Sequence, residues 1–421
     1  MATTAPSIAD SCLAAKRASR TLATLGSEVR DAALEAIAVA LEQRTEEILE
    51  ANAKDLEAAR DGDYSAAFLD KLALSERRVD AMIAGVRTIA ALSDPVGVVT
   101  EGRRLPNGLE VRKVQVPLGV VAVVYEARPN VTIDAAALCL KSGNAVVLRG
   151  SSAAARSNAI LAEIAISAAR DAGLAAGSIG LVAGGREDIA ELATQNGLVD
   201  LIIPRGGEGL KAALKGVATV PVIYAASGNC HVYVEASAEP ESARQIVLNA
   251  KLQRPGVCNA AETLLVHADI APDFLPATLA ALADAGVTLH GDDRARAAAP
   301  GARMDSASEQ DWDTEYLALE LAVAVVDGTE QAIEHINAHG SGHSEAIVTR
   351  DLAAAQAFQL GVDAACVYVN ASTRFTDGQE YGMGAEIGNS TQKLHARGPI
   401  GLRELCTYKY LVEGSGQIRP D

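Results

Sequence analysis

The sequence predicts an α/β protein built around two parallel sheets. Three observations carry that prediction. Residues 7–92 repeat apolar side chains at helical spacing, as in Val29, Ala32, Ala33, Ala36, Ile37, Ala40 and Leu41. From Pro117 onward, short apolar runs alternate with helical patterns, as expected for strands covered by helices on both faces. The chain has 421 residues, enough for two or three domains.

The elements follow in order. After the helical lead-in the texture changes near Pro95. Residues 104–116 (RLPNGLEVRKVQV) place Asn107-Gly108 between two extended arms, a hairpin signal in which both turn positions are expected at positive φ. Val111, Lys113 and Gln115 alternate as on a solvated strand, and such a projecting hairpin suits a bridge between subunits. VVAVVY (120–125) reads as a buried strand and residues 132–140 as a helix, capped by Asn130 or Thr132. AVVLRG (145–150), IGLVAGG (179–185), DLIIP (200–204) and VPVIYA (220–225) read as further strands, with a helix over 153–172. A second alternating set begins with the strand CHVYVEA (230–236), a helix over 240–252 and the strand AETLLVH (261–267). Helices over 274–285, 331–339 and 352–360 and strands EAIVT (345–349) and ACVYVNA (365–371) complete it.

Composition bounds the function. Hydrophobic residues make up 49% and charged residues 22%, ordinary globular usage. Aromatics are only 3%, so the cores rest on Ala, Val, Leu and Ile. A net charge of −17 argues against a nucleic-acid partner, which needs a basic face, though not against a small anionic substrate held by a few focused cations. No apolar run reaches the roughly 18 residues of a membrane span, and the N-terminus does not read as a secretory signal. Six cysteines without a CxxC pair read as reduced, intracellular thiols, which places the protein in the cytoplasm.

Several segments are candidates for chemistry. There is no GxGxxG after a strand and no GxxxxGK[ST]. Lys141-Ser142-Gly143-Asn144 instead precedes a strand, and Arg149-Gly150-Ser151-Ser152 opens the next helix. This pair of turns suits a phosphate-bearing cofactor, and equally an ordinary helix–strand junction. Arg205-Gly206-Gly207-Glu208-Gly209 is a second such turn, with the same two readings. Cys258 lies in QRPGVCNAAETLL (253–265), after Pro255-Gly256 has ended a helix. Arg254 and Lys251 give its thiolate cationic company, and Asn259 is placed to donate a hydrogen bond nearby. Cys139 lies within an apolar helix, while Cys230 and Cys366 start strands, so these three read as packing thiols. His335, His339 and His343 fall at i, i+4 and i+8, but Gly340 and Gly342 interrupt the helix, so no metal site is expected. Gly340-Ser341-Gly342-His343 reads as a turn facing a substrate.

Together these segments resemble one family. VVYEARPNVTIDAAALCLKSGNAVVLRG (123–150), QRPGVCNAAETLL, FTDGQEYGMGAEIGNSTQKLHARGPIGL (375–402) and YKYLVEGSGQIR (408–419) resemble the gamma-glutamyl phosphate reductase family, within the aldehyde dehydrogenase superfamily. The resemblance covers nearly the whole chain. It implies an α/β, aldehyde dehydrogenase-like fold: a variant Rossmann cofactor domain (1–103 and 117–228), an α/β catalytic domain (229–402) and an oligomerisation hairpin with its arm (104–116 and 403–421). It implies Cys258 as nucleophile and Asn130 as oxyanion donor. It places NADPH around Lys141, Gly143, Asn144, Arg149, Ser151, Gly206, Gly207 and Glu315, and an anionic substrate at Arg128, Arg254, Ser341 and His343. The implied partners are further copies of the chain, as a dimer or tetramer, and glutamate 5-kinase. Tyr224-Ala225-Ala226-Ser227-Gly228-Asn229 stands where hydrolytic relatives carry a water-activating glutamate, and it has no acid. Asn389 stands where the family pattern would be apolar. The implied reaction is reduction of gamma-glutamyl phosphate in proline synthesis. Another acyl substrate such as an acyl-CoA, or a non-catalytic scaffold, are the alternatives.

Overall fold

The computed structural model describes residues 7–62, 64–182, 185, 187–224 and 227–419. Five helices open the chain: α1 (Ile8–Leu22), α2 (Ser27–Gln43), α3 (Thr45–Arg60), α4 (Ala66–Leu72) and α5 (Glu76–Ala91). Then come β1 (Val99–Arg104), β2 (Glu110–Pro117), β3 (Val120–Tyr125), α6 (Val131–Lys141), β4 (Ala145–Arg149), α7 (Ala155–Asp171), β5 (Ile179–Leu181), α8 (Glu187–Ala193), β6 (Leu201–Arg205) and α9 (Glu208–Val217). The second half runs β7 (Cys230–Val234), α10 (Pro240–Leu252), β8 (Ala261–His267), α11 (Ala271–Asp284), β9 (Thr288–Gly291), α12 (Asp293–Ala298), β10 (Asp305–Ser306), α13 (Glu309–Trp312) and β11 (Glu320–Val326). It closes with α14 (Thr329–His339), β12 (Ser344–Val348), α15 (Leu352–Gly361), β13 (Cys366–Val369), β14 (Asn389–Ser390), β15 (Gly398–Pro399) and β16 (Cys406–Glu413).

These elements form two compact units. The first comprises residues 1–225, 383–388 and 400–421, the second residues 226–382 and 389–399. In the first unit β5-β4-β3-β6 form a parallel sheet. β3 and β4 are buried along their length, as unbroken runs of Val, Ala and Leu require when helices cover both faces. The chain winds from β3 outward to β5 and then returns to β6 on the other side of β3. That reversal puts the switch point of the topology between β3 and β6, at whose carboxyl ends such sheets receive ligands. VPVIYA, expected as a strand, contributes only a bridge from Val222 to Ile202. Pro221 has no N–H to donate to a ladder, and its carbonyl accepts from Ile202.

The hairpin forms as expected and gains a third strand, in the order β1-β2-β16. Its turn differs in detail. Gly108 has φ +88°, but Asn107 is not among the positive-φ residues; its Oδ1 accepts from the Leu109 amide at 3.2 Å. The loop spans residues 105–109, closed by Leu105 N–H to Leu109 O at 2.7 Å, so only one position needs the left-handed region. Tyr408, Tyr410 and Val412 stand exposed on β16.

In the second unit all seven strands of the main sheet are parallel, in the order β10-β9-β11-β8-β7-β12-β13. Val232, Leu264, Val323 and Ala346 form one buried face with Val247 and Leu275; Tyr233, Leu265, Ile347 and Phe358 form the other. β11, a central strand, is absent from the sequence-based expectation. Its run ELAVAVV alternates Ala with Leu and Val, and in an alanine-rich chain that pattern does not favour a strand over a helix. Asn389 sits buried in β14, opposite Pro399 of β15. Among the described residues, no helix is long and apolar enough to cross a membrane.

Candidate active site

The Cys258 turn is built by its neighbours. α10 stops at Leu252, because Pro255 cannot supply a helical N–H, and residues 253–260 carry the chain to β8. Cys258 is half-buried, whereas Cys12, Cys139, Cys230, Cys366 and Cys406 are buried, and none of the six forms a disulfide. Burial pushes the Cys139 thiol well above its ordinary value, and Cys12 up to about 11. Both stay protonated and inert.

Three groups fix the turn from behind. The Cys230 thiol donates to the Cys258 carbonyl at 3.2 Å. Gly228 packs against that same carbonyl so closely that a Cβ there would overlap it. The Gly228 amide is held in turn by Glu315 Oε1 at 2.6 Å. Asn259 does not reach back to the thiol, as the sequence suggested. It is 5% exposed, and its Nδ2 donates to the carbonyls of Arg374 at 3.3 Å and Thr376 at 2.9 Å. Thr373 Oγ1 donates to the Asn259 carbonyl at 2.7 Å, so the turn is stitched to residues 373–376.

Lys251 also departs from expectation. It gives Cys258 no free positive charge, because its ammonium pairs with Glu262 at 2.6 Å, both side chains 0% exposed. Burial pulls Lys251 down and Glu262 up to about 7, while each partner's charge opposes the shift. The other Glu262 oxygen accepts from the Leu317 amide at 3.3 Å, and Leu317 sits at φ +53°. This pair anchors both the Cys258 loop and the segment that carries Glu315.

Arg254 is exposed beside the thiol-bearing turn. Ser341 lines a polar cavity of about 430 Å³ with Gly340, Gly342, Thr391, Lys393 and Arg397. His343 does not join it. It is 1% exposed, its Nδ1 lies 2.7 Å from Ser344 Oγ, and burial lowers its pKa to about 4, so it is a neutral internal imidazole rather than a cationic substrate contact. Of the other two histidines, His339 bonds Asp313 at 2.9 Å and burial lowers His335 to about 3. A test of His343 follows. Its folded pKa lies below the ordinary 6.5, so its contribution is intact above pH 6.5 and is lost as pH falls toward 4. His343→Gln should remove up to about 3 kcal/mol of acid sensitivity in that window, read from urea midpoints at several pH values.

In the first unit the sequence-derived cofactor residues divide. Arg149, Ser151, Gly206 and Gly207 lie at the carboxyl ends of β4 and β6, on the ligand-receiving edge. Arg149 donates to the Gly185 carbonyl at 2.5 Å. Glu126 Oε2 accepts from the Gly207 amide at 3.0 Å, and a Cβ on Gly206 would lie 2.5 Å from that oxygen. Beside Gly209 the space is open, and the nearest atom to a Cβ on Gly207 would be the same Glu126 oxygen at 4.0 Å. Lys141, Gly143 and Asn144 do not belong to that edge. They precede β4, at the amino ends of the strands. Lys141 is 1% exposed and spent on Asp31 (2.6 Å) and the Ala90 carbonyl (2.7 Å). Asn144, fully buried, bonds the Gly119 amide and the Leu405 carbonyl at 2.8 Å each. Gly143, at φ +76°, leaves no room for a Cβ beside Pro117. Lys141 ties the end of α6 to α2 and α5, and Asn144 ties it to the segment before β16.

Asn130 occupies the cap position of α6 without capping it; its Nδ2 donates to Asp134 at 2.8 Å. Thr132 is no cap either, being buried against Tyr125 at 2.6 Å. The exposed Arg128 follows Ala127, which holds φ +50°, rare for a residue with a Cβ. Ala225 and Ala226 of the acid-free stretch lie outside the described residues; Tyr224, Ser227, Gly228 and Asn229 lie within them. Arg374 and Gly228 were not singled out from sequence. Arg374 directly precedes the motif at 375–402, which was the available signal.

The first unit offers glycine turns at the carboxyl edge of its sheet, and the second a half-buried thiol on a fixed turn. The chain belongs to the aldehyde dehydrogenase family, whose model matches residues 1–314. The gamma-glutamyl phosphate reductases of Moorella thermoacetica and Thermobifida fusca are 55% and 53% identical to it over 406 residues, covering 96% of this chain and 97% of each relative. The crystal structure of gamma-glutamyl phosphate reductase from Thermotoga maritima superposes with a TM-score of 0.96 at 42% identity, covering 99% of this chain and all of that one. An acetylating aldehyde dehydrogenase from Geobacillus thermoglucosidasius shares the fold at 19% identity, with a TM-score of 0.66.

Proposed function

We propose that this chain reduces gamma-glutamyl phosphate to glutamate-5-semialdehyde and inorganic phosphate, in the synthesis of proline from glutamate, through a thioester on Cys258. The observation that carries the reading is the half-buried thiol on a turn locked by Gly228, Cys230 and Asn259. The Cys258 thiolate attacks the acyl carbon, the bond from that carbon to the phosphate oxygen breaks, and phosphate departs. A bound nicotinamide cofactor, which we propose to be NADPH, supplies the hydride that takes the thioester to the aldehyde level. Cys258 then leaves the tetrahedral carbon as thiolate. The oxyanion is proposed to be held by the Cys258 amide; Asn130, whose Nδ2 donates to Asp134, is the catalytic side chain proposed in the first unit. An acyl phosphate is already activated, so no water-activating acid is needed in the 224–229 stretch, and hydrolysis of the thioester is avoided.

Arg149, Ser151, Gly206 and Gly207 are proposed to hold the cofactor, with Glu315 at its ribose. Arg128, Arg254 and Ser341 are proposed to hold the substrate. The exposed aromatic strand β16 supports a homo-oligomer, and six cysteines without a disulfide support a cytoplasmic setting. Because the acyl phosphate is labile, glutamate 5-kinase is the partner such a reaction favours.

The test is the reverse reaction. Purified protein is mixed with glutamate-5-semialdehyde, phosphate and NADP⁺, and NADPH absorbance is followed. Phosphate-dependent NADPH formation is expected, faster than with NAD⁺. No formation from folded protein overturns the assignment and directs attention to another acyl substrate.

A further inference from the structure

Arg374 lies within the helical turn Thr373–Phe375 and is held in place twice over. Its carbonyl accepts from Asn259, so it travels with the Cys258 turn. Its Nε donates to Gln253 Oε1 at 2.8 Å, which fixes the plane of the guanidinium. That single side-chain bond leaves both terminal amino groups of Arg374 without an acceptor among the described residues. Arg254, its neighbour, is exposed and also makes no ion pair among the described residues. Burial and then the Arg254 charge hold the Arg374 guanidinium below its ordinary value, while Cys258 and Asp377 pull the other way. Two guanidinium groups of like charge beside a nucleophile cost free energy unless an anion joins them. A phosphate, with oxygens spaced to take bidentate bonds from planar forks, fits that arrangement better than a single carboxylate does.

We infer that Arg374 is a substrate-binding residue: with Arg254 it grips the phosphoryl group beside Cys258, first on the acyl phosphate and then as departing phosphate. This deepens the proposed function and rests on it. The position also has a catalytic consequence. Negative charge grows on the leaving oxygens as the carbon–oxygen bond breaks, so contacts from Arg374 strengthen as phosphate leaves.

The experiment measures KM for phosphate in the reverse reaction for wild type, Arg374→Gln and Arg374→Lys. In Arg374→Gln, KM for phosphate should rise about 10- to 100-fold, the size of one lost charge-assisted contact, while KM for NADP⁺ stays within about twofold. Arg374→Lys should recover part of the loss. An unchanged phosphate KM, or parallel rises for both ligands with a lowered melting temperature, overturns the inference and leaves Arg374 as a clamp on Gln253. A second measurement does not depend on turnover. Inorganic phosphate should slow alkylation of Cys258 by iodoacetate in wild type and fail to do so in Arg374→Gln. Equal protection in both proteins overturns the anion site. Wild type that shows protection but no phosphate-dependent NADPH formation would instead overturn the assigned reaction and keep the site.

Discussion

Cys258→Ala should abolish phosphate-dependent NADPH formation, lowering kcat by about 10⁴-fold or more, because every covalent step of the proposed reaction runs through that sulfur. Cys258→Ser should lie close to it, since an alcohol at neutral pH is a far poorer nucleophile than a thiol. Both variants should keep the fold. Cys258 is half-buried and its backbone, not its sulfur, makes the contacts with Gly228 and Cys230. Their urea midpoints should match wild type within error. Loss of activity without loss of stability assigns the chemistry to this thiol; retention of more than about a hundredth of wild-type kcat would remove the thioester from the mechanism.

The second large effect is on stability. Lys251→Met leaves the Glu262 carboxylate buried with its remaining bond to the Leu317 amide. Losing one partner of a fully buried pair costs about 3–5 kcal/mol. Glu262 can escape part of that cost by taking up a proton, since its pKa already stands near 7. The loss should therefore be larger at pH 8 than at pH 6. Lys251→Met combined with Glu262→Leu should return most of it, because the unpaired charge is gone. Urea denaturation of the two singles and the double, at both pH values, measures this directly. Singles as stable as wild type would mean that the pair contributes no more than packing.

Much of this organisation is legible in the sequence where local pattern and global fold agree. The buried strands at 120–125 and 261–267 are short apolar runs bounded by turn residues, and helix α10 begins and ends where its Pro240 and Pro255 dictate. The proposed nucleophile is legible because Cys258 is the only cysteine placed in a loop. What escapes notice depends on neighbours far along the chain. Lys141 and Asn144 look like ligand groups, since a Lys-Ser-Gly-Asn turn resembles one at either end of a strand; only the sheet direction shows that they sit at the amino edge. His343 follows a glycine turn and reads as exposed, yet Ser344 and Thr376 draw it inward. Arg374 is brought to the Cys258 turn by contacts spanning more than a hundred residues, which no local motif reports.

The closeness of Gly228 to the Cys258 carbonyl has a practical consequence for genetics. In a saturation library selected for growth without proline, codon 228 will tolerate glycine alone, and its score will be indistinguishable from that of codon 258. A reader of such a map would take both for members of the chemical machinery. In the proposed reaction one supplies the electrons; the other supplies only the absence of a methyl group, the space into which the backbone of Cys258 is set.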